Sequence, residues 1–341
     1  MRFLPRLTFD QANEGRLGTP RRPKLGFAIG AGSARGWAHI GVLRTLDAAG
    51  IRPDIISGTS SGAVVGGCYA AGKLKALEDF ACNLTKRRIF SLMDLTFSGA
   101  GLVAGGRLKA RLDEELGGQL IEDLPVEFAA IATEMGTGHE IWLDKGGLSE
   151  AIRASFALPG IFEPMKINGR WLFDGALVNP VPVTVCRAKG ADFVVAINLN
   201  SELRRHQGAH EAISEEAIAE EALDAFETEA RKTNVSLAGF LPSLRGRNWL
   251  FRRQFATPAD GPPGIATAMV DAFNITQDRI TRSRLAGDPP DISINIKLGD
   301  IGFFDFHRAA EMIELGRDAA RRALPEIQEL LKAPSQNGGN R

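Results

Sequence analysis

Serine, glycine and aspartate carry the chemistry that this sequence offers. Gly58-Thr59-Ser60-Ser61-Gly62 stands between a strand-like stretch, Pro53–Ser57, and a run of small and apolar residues, Ala63–Ala71, suited to begin a helix. G-x-S-x-G in that setting forms a nucleophile elbow. Gly58 and Gly62 permit a sharp, strained turn that brings the Ser60 hydroxyl to a sheet edge, beside the amides of a helix N-terminus. Ser60 is the candidate nucleophile, whereas Ser61 enters the first turn of the helix. Acyl transfer also needs a base and donors for an oxyanion. Gly30-Ala31-Gly32-Ser33-Ala34-Arg35-Gly36 follows the apolar run Leu25–Ile29 and leads into a helix. It clusters backbone N–H groups with little side-chain cover, a setting that attracts anions.

The base is less obvious. A conventional triad supplies a histidine, in the chain order Ser, Asp/Glu, His for α/β-hydrolases. Here His206 and His210 fall in a charged stretch, His39 precedes the nucleophile, His139 opens a short strand, and His307 stands at the start of the terminal helix. Asp174 offers itself differently. Met165–Ile167 and Arg170–Phe173 flank Asn168-Gly169, the signature of a type I′ hairpin. The second arm delivers Asp174 into Gly175-Ala176, which leaves its carboxylate unobstructed. A carboxylate is a weak base near its reference pKa of ~3.9. Partial burial raises that value, and a good oxyanion site supplies much of the rate. A Ser60–Asp174 dyad is therefore chemically sufficient.

Two alternatives stay open on the residues alone: an α/β-hydrolase triad with His307 as base, and a non-hydrolytic nucleotide-binding or regulatory module. Against a dinucleotide loop, position 35 holds Arg35 where G-x-G-x-x-G requires glycine, and no Gly-Lys-Ser/Thr follows for a Walker loop. Arg35 itself is suited either to a surface salt bridge or to stabilising the loop or meeting a phosphate.

The glycine loop, the elbow and Asp174-Gly175-Ala176, in that order, resemble the motifs of the patatin-like phospholipases. Within them the chain is most similar to the bacterial group related to the catalytic domain of neuropathy target esterase. Ala151–Ser155 leading to Leu158-Pro159-Gly160, and Asn179-Pro180-Val181-Pro182, fit the same pattern. The resemblance covers residues 24–200 and resumes at 291–320. It implies a three-layer α/β/α fold with a mostly parallel central sheet. It also implies Ser60 as nucleophile, Asp174 as its partner, and an oxyanion loop formed by Gly32, Ser33, Arg35 and Gly36. Where this chain has Ser33 the family commonly has a third glycine, and the amide is kept. The implied reaction is hydrolysis of fatty-acyl esters of phospholipids, lysophospholipids or neutral lipids, with no metal or other cofactor.

Holding these groups together takes a βαβ unit. Leu25–Ile29 reads as a buried strand and 54–57 as a second. Between them runs a helix with Trp37, Ile40, Val42, Leu43 and Leu46 on its apolar face and Gly50 as C-cap. The crossover is expected to be right-handed and the strands parallel. If they are adjacent, the glycine loop and Ser60 leave the one sheet edge where ligands of open α/β sheets collect. Further strands are expected at Glu127–Ala132, His139–Leu143, Asp192–Asn198 and Asp291–Ile296, and helices at about 148–156, 264–285 and 307–332.

This organisation makes one hydrolase domain over 24–332, with a flexible arm at 1–23 and a disordered tail at 333–341. An insertion at 201–260 interrupts it. Every charge from Glu211 to Glu229 is acidic, and every charge from Arg231 to Arg253 is basic. The basic, aromatic stretch 237–255 is either a peripheral contact with a membrane or a lid on the acidic helix 211–230. Across 341 residues, 41 Lys and Arg balance 41 Asp and Glu, so no global field draws the chain to nucleic acid or to an anionic membrane. Cys68, Cys82 and Cys186 are expected as reduced core residues. Without an apolar leader or a run of about 20 apolar residues, a cytoplasmic protein is expected, peripheral at the membrane at most.

Overall fold

A computed structural model describes residues 22–92, 101–103, 106–199, 265–298 and 301–332. The insertion at 201–260, the tail and all but the end of the arm lie outside those residues, and with them the stretch 237–255, His206 and His210.

In chain order the strands are β1 (Leu25–Ile29), β2 (Ile55–Thr59), β3 (Gly101–Val103), β4 (Glu127–Glu134), β5 (Glu140–Leu143), β6 (Gly160–Phe162), β7 (Met165–Ile167), β8 (Arg170–Asp174), β9 (Phe193–Asn198) and β10 (Ile292–Asn295). The helices are α1 (Ala38–Ala48), α2 (Ser61–Ala70), α3 (Leu74–Cys82), α4 (Lys86–Leu92), α5 (Gly106–Leu116), α6 (Leu148–Ser155), α7 (Val183–Ala188), α8 (Ile265–Gly287) and α9 (Ala309–Lys332). Every strand expected from the sequence is present within a residue or two. The helices over 74–116, α7 and the small parallel pair β3–β6 are not among the expected elements. His139 falls just before β5 rather than opening it, and Trp37 closes a 3-10 turn, Ser33–Trp37, ahead of α1.

The large sheet runs β10-β9-β1-β2-β4 with every neighbour parallel, and β5, β8 and β7 add antiparallel strands beyond. Strands buried on both faces read as continuous apolar runs, and the two faces are built differently. Phe27, Ile29, Ile56, Phe128, Val195 and Ile197 pack toward α1, α2, α6 and α9. The alternate residues Ala28, Ile55, Val194 and Ala196 pack on α7, whose Val183 and Cys186 face them. Helices on both sides of the sheet make the three-layer α/β/α fold. Gly50, at φ 74°, ends the first helical segment as expected of a C-cap. Asn168 at φ 49° and Gly169 at φ 81° form the β7–β8 turn, both left-handed as a type I′ turn requires.

One detail of the register builds the site. Ala130 and Ile131 of β4 pair with both β2 and β5, while Ala132 and Thr133 pair with both β5 and β8. A strand has only two edges, so β2 and β8 share one of them. β2 runs parallel to β4 and ends with Thr59 opposite Ile131; β8 runs antiparallel and ends with Asp174 opposite Ala132. The C-terminal ends of β2 and β8 therefore meet head-on. Ser60 follows one of them, and Asp174 closes the other.

Candidate active site

At the end of β2 the chain reverses within one residue. Ser60 adopts φ 55° and ψ −120°, a conformation costly for any residue with a side chain, and α2 begins at once. A Cβ on Gly62 would lie 2.1 Å from the Ile29 carbonyl oxygen, so α2 starts against the end of β1 at a distance only glycine allows. Gly58 lies within β2 and is folded under the same turn, where a Cβ would meet the Gly62 carbonyl at 2.6 Å. The Thr59 hydroxyl donates to the Asn179 carbonyl (2.8 Å), and the Ser60 N–H donates to Ser155 Oγ (2.9 Å).

Asp174 is fixed through its backbone as well. Its N–H donates to the Ala157 carbonyl (2.9 Å), and its own carbonyl accepts from the Thr133 hydroxyl (2.8 Å). The side chain is not unobstructed, as the hairpin alone suggests, but only 1% exposed. Its Oδ2 accepts from Ser60 Oγ at 2.7 Å, and its Oδ1 accepts from the Ala176 N–H at 2.8 Å. Burial pushes the carboxyl pKa up to about 7, and the Ala176 and Ser60 hydrogen bonds offset only part of that. Ser60, 8% exposed, is likewise enclosed rather than raised into solvent.

In the glycine loop, the N–H groups of Gly30, Ala31, Ala34 and Arg35 donate to the carbonyls of Ile197, Pro180, Phe303 and Gly32. Those of Gly32 and Ser33 have no hydrogen-bond partner among the described residues, and neither do the first two amides of α2, Ser61 and Gly62. Gly36 packs the 3-10 turn onto the start of α2, where a Cβ would sit 2.3 Å from Ser61 Cβ. The open donors thus belong to two helical segments in direct contact. Arg35 is buried, contrary to a surface salt bridge. Desolvation lowers its pKa, and the Asp305 charge partly opposes this.

Ser33 sits at φ 51°, in the left-handed region that favours glycine. A left-handed serine costs about 1 kcal/mol. Ser33→Gly is expected to raise the melting temperature with the amide retained, while Ser33→Val lowers it. Thermal unfolding of the three chains checks the order.

Among the described residues, neither Ser60 nor Asp174 hydrogen-bonds a histidine. His39 is fully buried in α1 and shares its Nε2 proton with the Gly30 carbonyl (2.8 Å). Burial pushes its pKa down to about 4, so it is a neutral strut for the loop. His307 lies in the turn Phe306–Arg308 that precedes α9. Cys68 and Cys186 are buried free thiols, but Cys82 is exposed at the end of α3 and is not a core residue.

A family model described as patatin-like phospholipase matches residues 27–187, a span holding the glycine loop, the elbow and Asp174. An uncharacterized NTE family protein of Mycobacterium tuberculosis (strain H37Rv) is 31% identical over 337 residues, covering 90% of this chain and 92% of its own length. The chain belongs to the patatin-like phospholipase family. A second NTE family protein of that organism is 28% identical over 319 residues, and the alignment covers 90% of this chain but 48% of that protein. A lysophospholipase of Emericella nidulans is 32% identical over 185 residues, covering 52% of this chain and 12% of its own length. Membership in the patatin-like family carries hydrolytic activity on lipids in the broad sense.

Several residues at this patatin-like site escape a reading by residue type. Thr133 is one buried threonine in an apolar strand, and its hydrogen bond to Asp174 spans 41 positions. Ser155 and Asn179 belong to stretches that fit the family pattern, but nothing in those stretches tells which atoms they meet. The amides of Ser61 and Gly62 are signalled by the elbow itself, since such turns place the N–H after the nucleophile near the reacting carbonyl.

Proposed function

We propose that this patatin-like protein is a serine acyl hydrolase that cleaves fatty-acyl esters of lysophospholipids, phospholipids or related lipids through a Ser60–Asp174 dyad. The observation that carries the reading is the 2.7 Å hydrogen bond from Ser60 Oγ to a buried Asp174 carboxylate whose pKa is pushed up to about 7. A base titrating near neutral pH combines a usable ionised fraction with a good driving force for proton transfer.

In the first step Ser60 Oγ attacks the ester carbonyl carbon as its proton passes to Asp174 Oδ2. The oxyanion is received by open N–H groups of Gly32 and Ser33, with those of Ser61 and Gly62 as further donors. Of the expected loop, Arg35 and Gly36 contribute by shape, since the Arg35 N–H is already bonded to Gly32 and Gly36 seats the turn on α2. Collapse of the tetrahedral species breaks the ester C–O bond, and the leaving alkoxide takes the proton from Asp174. Water then gives a proton to Asp174 and adds to the acyl-serine. Fatty acid leaves and Ser60 recovers its proton. The dyad is favoured over a triad because both oxygens of Asp174 and the hydroxyl of Ser60 are engaged without a histidine. The reading includes a cytoplasmic location, with the stretch 237–255 acting either as a peripheral contact with a membrane surface or as a lid.

Incubating the full chain with lysophosphatidylcholine, phosphatidylcholine and a short soluble ester, with and without a fluorophosphonate probe, tests it. Fatty-acid release blocked by one covalent label on Ser60 is expected. A chain that takes up no label and frees no acid from any of them would end the proposal.

A further inference from the structure

Ser155, the last residue of α6, is fully buried and uses both hydrogen-bonding sides of its hydroxyl. Its proton goes to the Ile131 carbonyl at 2.6 Å, and its lone pairs receive the Ser60 N–H at 2.9 Å. Ile131 is the β4 residue at which the shared edge passes from β2 to β8. Gly175 closes on the same carbonyl so tightly that a Cβ there would stand 2.2 Å away. The bridged groups are therefore a carbonyl at the junction of two opposed strands and the amide of a residue held at φ 55°.

We infer that Ser155 is a positioning residue for Ser60. It anchors the strained elbow to the strand junction, so that Ser60 Oγ stays aimed at Asp174. It also engages the Ser60 N–H, leaving the oxyanion to the neighbouring amides. This inference rests on the Ser60–Asp174 reading and extends it to a side chain that touches neither substrate nor the reacting atoms. Three features of the hydroxyl are needed together: a donor toward Ile131, an acceptor toward Ser60, and a volume that fits a closed site. A methyl group supplies neither bond, and a thiol supplies both weakly in a similar shape. A buried N–H freed from its acceptor reorients to find another, and a displacement on the order of 1 Å of a reacting group costs ~10²-fold in rate.

The test uses the full chain with Ser155→Ala, Ser155→Cys and Ser155→Thr, a soluble short-chain ester, and the rate of fluorophosphonate labelling per folded molecule. Ala and Cys are expected to lower kcat and the labelling rate by ~10²-fold and at least ~10-fold respectively, with KM held. Thr, which keeps the hydroxyl but adds a methyl to a fully buried site, recovers part of both relative to Ala. If the Ala chain does not fold, the Cys chain decides alone. Labelling at the wild-type rate in a folded Ala or Cys chain overturns the inference, as does a raised KM with kcat unchanged. Those outcomes require an active wild-type chain. A wild-type chain that neither labels nor turns over ester removes the dyad reading first, and this inference with it.

Discussion

Ser60→Ala is expected to lower ester turnover by roughly 10⁶-fold and to abolish fluorophosphonate labelling. The remaining rate is what binding and the open amides of Gly32, Ser33, Ser61 and Gly62 sustain without a nucleophile. The fold should survive, because alanine keeps the backbone N–H that Ser155 accepts and loses only the hydrogen bond to Asp174. A buried carboxyl deprived of that donor stays protonated more readily. An assay of fatty-acid release against time, at equal folded concentration, decides it. Activity retained above about one per cent would mean that the ester is cut elsewhere.

Asp174→Asn should cost roughly 10⁴-fold, since the amide holds its place but takes no proton. The two variants differ in their pH behaviour. In the wild type, kcat/KM rises with pH through the Asp174 pKa near 7 and then levels, because only the ionised carboxylate is a base. The asparagine chain has no such limb. Stability runs the other way. The Asp174 pKa is raised from its ordinary value of 3.8 to about 7, so between those values the folded chain holds a proton that the unfolded chain has released. The stability this gives is fully present below about 4 and lost as pH rises through about 7. His39 has the opposite sign. Its pKa is lowered from 6.5 to about 4, so its contribution is present above 6.5 and lost as pH falls toward about 4. Across that shared window the two slopes oppose each other. Asp174→Asn should therefore melt higher than the wild type at pH 8, with the gap closing by pH 5, and it should become acid-labile between 6.5 and 4. Calorimetry at a series of pH values reads both effects, and parallel wild-type and variant curves would contradict them.

Much of the site was legible because short-range rules govern it. The elbow, the βαβ unit and the Asn168-Gly169 hairpin each depend on neighbours within a few residues, and each lies where the spacing puts it. The position of Asp174 beside Ser60 was legible only as a chemical inference, because the contact spans 114 positions and depends on β2 and β8 sharing an edge of β4. Strand pairing between distant segments leaves no local mark. The same limit hid Ser155 and Thr133, whose partners are strand backbones far away in the chain. It also hid the degree of enclosure: a glycine after Asp174 suggests openness, whereas that turn packs against the Ile131 carbonyl and buries the carboxylate. Helices over 74–116 were missed for another reason. They are short or strongly charged, and α5 carries acidic and basic residues through most of its length.

The head-on meeting of β2 and β8 makes the distance between hydroxyl and carboxylate a matter of counting. Both groups are indexed to consecutive rungs of β4, so adding or removing a single residue in any of the three segments rotates a side chain to the opposite surface of the pleat. Connectors bear no such constraint. Drift in length during evolution should accordingly be free in the connectors and forbidden in the rungs. Grafting those rungs, with the turns that cap them, should carry the reaction geometry into another sheet of the same order.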